Sequence, residues 1–235
     1  MDNKIGVFDS GIGGLTTLEE IKNILPNEDF IFYADSKNNP YGEKTKEELC
    51  NITEDIVNTL IEYKVKIIVI ACNTATTNCI EYLRNKFPNM IFVGTEPAIK
   101  VACDNNYKNT LVMATPGTIS SDRVHELVKK NKKRNEKIYL VPCDGLANAI
   151  ETNNKEKIDL LLHENLDKYK DYNIDAIVLG CTHYPIIKDK IQKYFKDATL
   201  IDGNIGVARQ VKYQLEKNNL LTTKKTRGSY KFIQT

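Results

Sequence analysis

The stretch IVIACNTATTN at 68–78 runs β-branched residues straight into a cysteine followed by small hydroxyl and amide side chains, and IVLGCTHYP at 177–185 has the same layout. Three further segments recur with them. TLVMATPG (110–117) resembles 5–12, IYLVPCDG (138–145) resembles 30–37, and ATLIDGN (198–204) resembles 91–96. Pairing Val7 with Val112, Phe30 with Ile138, Cys72 with Cys181 and Val93 with Ile201 gives offsets of 105, 108, 109 and 108. Four apolar runs at one nearly constant offset describe an internal duplication. The chain can therefore fold only into something built twice from one pattern.

That pattern is β-strand then helix. Apolar runs at 5–11, 30–35, 66–71 and 91–94 alternate with amphipathic stretches at 14–25, 44–63 and about 75–86. In 44–63, Leu49, Ile52, Ile56, Val57, Leu60 and Ile61 have the spacing of one helical face. Continuous apolar strands separated by helices indicate parallel sheets covered on both faces. The expected fold is α/β: two similar lobes, each a parallel sheet flanked by helices, pseudo-duplicated, with the active site in the cleft between them. The first lobe is expected to comprise 1–95 plus 205–235 and the second 96–204, joined near 95–109. The chain returns through a helix at 205–219 in which Val207, Val211 and Leu215 fall four apart, and the tail has one edge strand. The run KKNKKR (129–134) reads as the end of a solvated helix, where cations are favoured.

Composition narrows the partners. With 235 residues, 41% of them hydrophobic, there is core enough for an enzyme. The 33 Lys plus Arg against 31 Asp plus Glu leave a net charge of +2, which creates no field for nucleic acid or an anionic membrane. No apolar run has the length of a signal peptide or membrane span, so a cytoplasmic protein is expected. Six cysteines without a CxxC pair read as reduced thiols.

Ligands of open parallel sheets bind beyond the carboxyl ends of the strands. Cys72 and Cys181 both sit there, ahead of a helix start, where the helix terminus favours a thiolate. Two thiols approaching one carbon from opposite sides can remove a proton and deliver another. Cys50, Cys79, Cys103 and, on balance, Cys143 read instead as small core residues. A zinc site from Cys72, Cys181 and His183 is the rival chemistry, without the short ligand spacing that would make it specific. FDSGIGG (8–14) has Thr16 where a dinucleotide fingerprint needs glycine; its glycines allow close backbone approach, its amides suit a carboxylate, and a tight turn with positive φ is compatible with both. Asp9 at its start can orient an ammonium group or influence a nearby thiol. NPYGEK (39–44) reads as a turn. His183 either exchanges protons with Cys181 or caps its helix. Glu151 reads as a solvated carboxylate, and His125 and His163 as surface residues.

GVFDSGIGGL, NPYGEK, ACNTAT, PAIK and GCTHYP stand in the order and spacing of the bacterial glutamate racemases, within the aspartate/glutamate racemase superfamily, and the chain resembles that family over roughly 4–220. The CNT and CTH motifs mark the superfamily; DSGIGGL with PYG points to the glutamate branch. The resemblance implies cofactor-independent interconversion of L- and D-glutamate, supplying D-glutamate for peptidoglycan and so for the cell wall and cell shape. It implies Cys72 and Cys181 as the acid/base pair, no metal, and substrate or thiol contacts from Asp9, Ser10, Tyr41, Gly42, Asn73, Thr74, Thr182 and His183. Thr115, which faces Ser10 in the duplication, and Glu151, which resembles a carboxylate that supports His183, are further members, although CDGLANAIE departs from the family's CPLFVPLVE. A homodimer is expected. Racemisation of aspartate or another acidic amino acid, or non-catalytic effector binding, are the alternatives.

Overall fold

The computed structural model describes residues 3–235. The chain divides into two compact units, one holding the residues through Thr95 together with Asn204–Thr235 and the other Glu96–Gly203.

The first unit begins β1 (Lys4–Asp9), α1 (Leu15–Ile24), β2 (Phe30–Ala34), α2 (Lys46–Glu62), β3 (Val65–Ile70), α3 (Asn73–Lys86) and β4 (Phe92–Gly94). The second contains α4 (Ile99–Asp104), β5 (Asn109–Ala114), α5 (Pro116–Ile119), α6 (Asp122–Asn131), β6 (Lys137–Pro142), α7 (Leu146–Glu151), α8 (Lys155–Leu166), β7 (Ala176–Leu179), α9 (Lys188–Gln192) and β8 (Thr199–Ile201). The stretch expected to join the lobes, 95–109, thus carries a helix of the second unit. Then α10 (Asn204–Lys217) and β9 (Tyr230–Gln234) complete the first.

The first sheet has the order β4-β3-β1-β2-β9 and the second β6-β5-β7-β8, all parallel. Read from the other edge, the second is β8-β7-β5-β6, the same sequence of strands as β4-β3-β1-β2. The duplication in the residues is a duplication of topology.

The strands read as unbroken apolar runs because both faces are covered. In the first unit Ile5, Val7, Ile67 and Val69 pack with α1 and α10 through Leu18, Ile21, Val207, Val211 and Leu215. Their neighbours Phe8, Ile68 and Ile70 point the other way, onto Leu49, Ile56, Val57, Leu60 and Leu83 of α2 and α3. Of the face predicted for α2, Ile52 is half-buried and Ile61 exposed; Cys50 and Thr53 complete the buried stripe. Helix α2 starts in a capping box: Thr45 Oγ1 accepts the Glu48 N–H at 3.2 Å and Glu48 Oε2 accepts the Thr45 N–H at 2.8 Å. In the second unit Leu111, Met113, Val141, Ile177 and Leu179 face α7, α8 and α9. Val112 and Val178 face α4 and α6.

The edge strand β9 lies parallel to β2, with Phe232 stacked on Phe32 at 5.8 Å between ring centroids. The segment leading to it is held by a buried ion pair. Lys66 Nζ lies 2.6 Å from Glu28 Oε2 and donates to the Leu220 carbonyl at 2.7 Å, while Glu28 Oε1 accepts the Thr222 N–H at 2.8 Å. Among the described residues no helix is long and apolar enough to cross a membrane.

Candidate active site

In the first unit the strand ends gather Asp9, Ser10, Tyr41, Cys72, Asn73 and Thr74, all of them buried. Cys72 is the N-cap of α3, which begins at Asn73, ahead of the expected 75. The thiol meets the helix terminus directly, and its Sγ donates to Ser10 Oγ across 3.8 Å. Asn73 Oδ1 is buried with no hydrogen-bond partner. A buried acceptor in that condition is uncommon and calls for a donor.

Asp9 ends β1 fully buried, and its Oδ2 accepts the Gly14 N–H at 2.7 Å. The amide at the start of α1, expected to be open to a ligand carboxylate, is therefore engaged by the chain's own. Positive φ is not why glycine stands there: Gly14 has φ −63°. A Cβ at that position would lie 2.6 Å from Asp9 Cβ and 3.0 Å from Ala71 Cβ, so the requirement is close approach.

NPYGEK is more than a surface turn. Two single 3-10 turns, Ser36–Asn38 and Tyr41–Glu43, bracket a cis Asn39–Pro40 bond and carry Tyr41 into the cluster that contains Cys72 and Ala75. Gly42 is half-buried. The Tyr41 hydroxyl donates to Asp35 Oδ2 at 2.7 Å. Burial, and then the Asp35 charge, push that hydroxyl far above the usual tyrosine range, so it remains a donor.

The second unit gathers Cys181, Thr182, His183 and Glu151, with Thr115 at the end of β5. No α-helix starts immediately after Cys181, contrary to expectation. A turn leads into the 3-10 segment Tyr184–Ile187, and α9 begins only at Lys188. The ring of Pro185 has no N–H to offer a regular first turn. A histidine takes the place of the helix terminus: His183 Nδ1 lies 3.8 Å from Cys181 Sγ and Nε2 lies 2.6 Å from Glu151 Oε2. His183 makes no side-chain cap. The reading of Glu151 as a solvated carboxylate is corrected in the same way, since it ends α7 against an imidazole that is 1% exposed. The pair spans 32 residues, which no local pattern could reveal. Thr182 is buried. Thr115 caps α5, accepting the Thr118 N–H at 3.3 Å and donating to Thr118 Oγ1 at 3.0 Å.

The other thiols are core groups. Cys143 is pushed up to about 12 by burial and then by the charge of Cys181, and its thiol donates to the Val141 carbonyl at 3.5 Å. Cys50 Sγ lies 3.3 Å from Cys79 Sγ between α2 and α3, and burial raises Cys79 as well. Burial lifts Cys103 to about 11. All six are free. His125 and His163 are exposed. Among the described residues no three or more His, Cys, Asp or Glu side chains are grouped so as to hold a metal ion.

The chain is similar to known proteins in sequence and in fold. The sequence model of the family described as Asp/Glu/Hydantoin racemase matches residues 22–211. A glutamate racemase of Clostridium botulinum (strain Alaska E43 / Type E3) is 42% identical over 99% of this chain and 93% of its own length. One from Clostridium novyi (strain NT) is 42% identical over 97% and 90%. Among solved structures, the glutamate racemase of Francisella tularensis in complex with D-glutamate superposes with TM-score 0.85 at 35% identity, covering 100% of this chain and 88% of that one. A glutamate racemase isoform of Bacillus anthracis superposes with TM-score 0.87 at 27% identity, covering 99% and 88%.

Proposed function

The chain belongs to the Asp/Glu/Hydantoin racemase family, and on that premise we propose that it interconverts L- and D-glutamate without a cofactor, Cys72 and Cys181 acting as the two acid/base groups. The observation that carries this reading is one placement made twice. Cys72 follows β3 and Cys181 follows β7, the equivalent strands of two sheets with the same strand order. Inversion at a carbon needs a proton removed from one face and a proton delivered to the other, and two groups of one chemical kind serve both directions equally.

The α-hydrogen of an amino acid is a very weak acid, so the carbanion needs hydrogen bonds and a dry, fixed site. The burial of Asp9, Ser10, Asn73, Thr74, Thr182 and His183 supports such a site. The unpaired Asn73 Oδ1 suits the ammonium group of an amino acid. The two thiols are activated differently. Cys72 is assisted by the N-terminus of α3, whereas Cys181 exchanges its proton with His183, whose ring is oriented by Glu151. Ser10, Tyr41 and Gly42 belong with Cys72 in the first unit and Thr115 with Cys181 in the second. D-Glutamate formed this way would feed peptidoglycan synthesis in the cytoplasm, and a homodimer that needs no nucleic acid or membrane is part of the same reading.

The test is chiral analysis of L-glutamate and L-aspartate incubated with the purified protein and no added cofactor. D-Glutamate should accumulate far faster than D-aspartate, before and after dialysis against EDTA. Faster turnover of aspartate would transfer the reading to the shorter acid. Activity lost to EDTA and restored by zinc would return the metal reading. Calorimetric binding of glutamate without turnover would make the protein an effector-binding module.

A further inference from the structure

Asp35 follows β2 and is 1% exposed. Among the described residues no Lys, Arg or His pairs with it, yet both its oxygens are fully engaged. Asn38 Nδ2 donates to Oδ1 at 3.0 Å and to Oδ2 at 2.9 Å, Thr235 Oγ1 donates to Oδ1 at 3.0 Å, and the Tyr41 hydroxyl donates to Oδ2 at 2.7 Å. Its own N–H donates to the Asp9 carbonyl at 2.9 Å, which ties it to the end of β1. A carboxylate accepts about four hydrogen bonds, so Asp35 has none left for a ligand. The hydrogen of the Tyr41 hydroxyl is likewise spent, which leaves Tyr41 its ring and its backbone for the site. That ring is buried in one cluster with Cys72 and Ala75.

We propose that Asp35 is a positioning residue for the racemisation, holding the Tyr41 ring in place beside Cys72 through the Tyr41 hydroxyl. The proposal rests on the reading of Cys72 as an acid/base group. A charged acceptor makes a shorter and stronger bond to a phenol than a neutral one. A neutral side chain without an acceptor, introduced at 35, would leave the hydroxyl buried and unpaired, and the ring would be free to shift. Asp35 touches no reacting atom; its effect reaches the reaction only through Tyr41.

Two readouts test this on the full-length protein: steady-state racemisation of glutamate, and the rate of Cys72 labelling by iodoacetamide, mapped by peptide mass spectrometry. In D35A, kcat should fall about 10- to 100-fold with KM moving less than about 3-fold, the usual scale for a misplaced reacting group. D35N removes the charge and retains an acceptor oxygen, and should lose no more than about 5-fold. Y41F deletes the same bond from the other side and should match D35A, and the D35A/Y41F double variant should be no worse than either single one. Cys72 labelling should accelerate at least about 3-fold in D35A and Y41F and stay at the wild-type rate in D35N. If D35A does not fold, the contrast between Y41F and D35N decides. The proposal is overturned if Y41F keeps wild-type kcat and labelling, if D35N behaves like D35A, or if the two losses add. A wild-type protein that leaves glutamate unchanged would refute the functional reading instead, while the labelling series would still decide whether Asp35 positions Tyr41 beside Cys72.

Discussion

Replacing Gly14 with alanine isolates a single steric term. At φ −63° and ψ −10° alanine fits the backbone as well as glycine does, and by restricting the unfolded chain it would stabilise by about 0.4–1 kcal/mol if nothing else changed. The added carbon, however, would sit 2.6 Å from Asp9 Cβ, 3.1 Å from Asp9 Cγ and 3.0 Å from Ala71 Cβ. Carbons at rest are about 3.5–4.0 Å apart, so the ends of β1 and β3 must separate from the start of α1 by roughly 1 Å. Overpacking of this kind costs about 1–3 kcal/mol, which leaves a net loss of about 1.3 kcal/mol at the midpoints of the two ranges and at most about 2.6 kcal/mol. The same shift pulls the Asp9 carboxylate off the Gly14 N–H it now meets at 2.7 Å. If Asp9 serves the reaction, a displacement of that size lowers kcat/KM about 100-fold. Urea unfolding and steady-state racemisation measure the two effects. G206A is the control, because no heavy atom lies within 4 Å of a Cβ at Gly206, in α10, and it should stabilise by about 0.5 kcal/mol with activity intact. If G14A matched G206A in both assays, the close-approach argument for the DSGIGG turn would be refuted.

Further outcomes follow from the same geometry. E151A removes the carboxylate 2.6 Å from His183 Nε2 and should lower kcat about 10- to 100-fold in steady-state assays; unchanged turnover would separate Glu151 from the site. K66M leaves the Glu28 carboxylate, 2% exposed, without its cation, and should cost about 3–5 kcal/mol in urea unfolding; a loss under about 1 kcal/mol would mean that the tail does not depend on the pair. Burial alone would raise Asp29, but bonds from Lys224 and Ser229 outweigh it and hold its pKa down from 3.8 to about 2. A depressed folded-state value gives stability that is present above the unfolded value and lost as pH falls through the folded one, so D29N should flatten the stability profile between about pH 4 and pH 2. Acid titration by circular dichroism checks this, and superimposable profiles would contradict it.

The sheets were legible because alternate residues of the inner strands β1, β3, β5 and β7 meet different helices, so those strands had to be almost continuously apolar, and because the pattern occurs twice. Cys72 was legible from one junction, a strand running into a helix cap. Cys181 was half legible: its strand was plain and His183 stood beside it as a proton partner, but the proline at 185 prevents a regular helix from following, and the support of Glu151 from another helix was visible only through the family resemblance. Contacts that span long stretches of chain, such as Thr235 on Asp35 or Lys66 on Leu220, leave no periodicity behind. Asp35 itself reads as an ordinary residue at the end of a strand. Only the four hydrogen bonds its carboxylate accepts, from three donors, reveal that it is an anchor. Of the two reasons the sequence offered for the glycines of this turn, Gly14 answers to close approach and not to positive φ.

The central claim, that two thiols divide proton removal and proton delivery between them, is tested most directly by turning over L-glutamate in D2O. One cysteine takes the α-hydrogen and the other supplies a solvent-derived deuteron to the opposite face. Early D-glutamate should therefore carry deuterium at the α-carbon. The remaining L-glutamate should stay largely unlabelled, because the abstracting thiol returns the hydrogen it took before that hydrogen exchanges with solvent. C72A and C181A should each abolish racemisation. Equal early labelling of both enantiomers, or near-normal turnover in either alanine variant, would contradict the account.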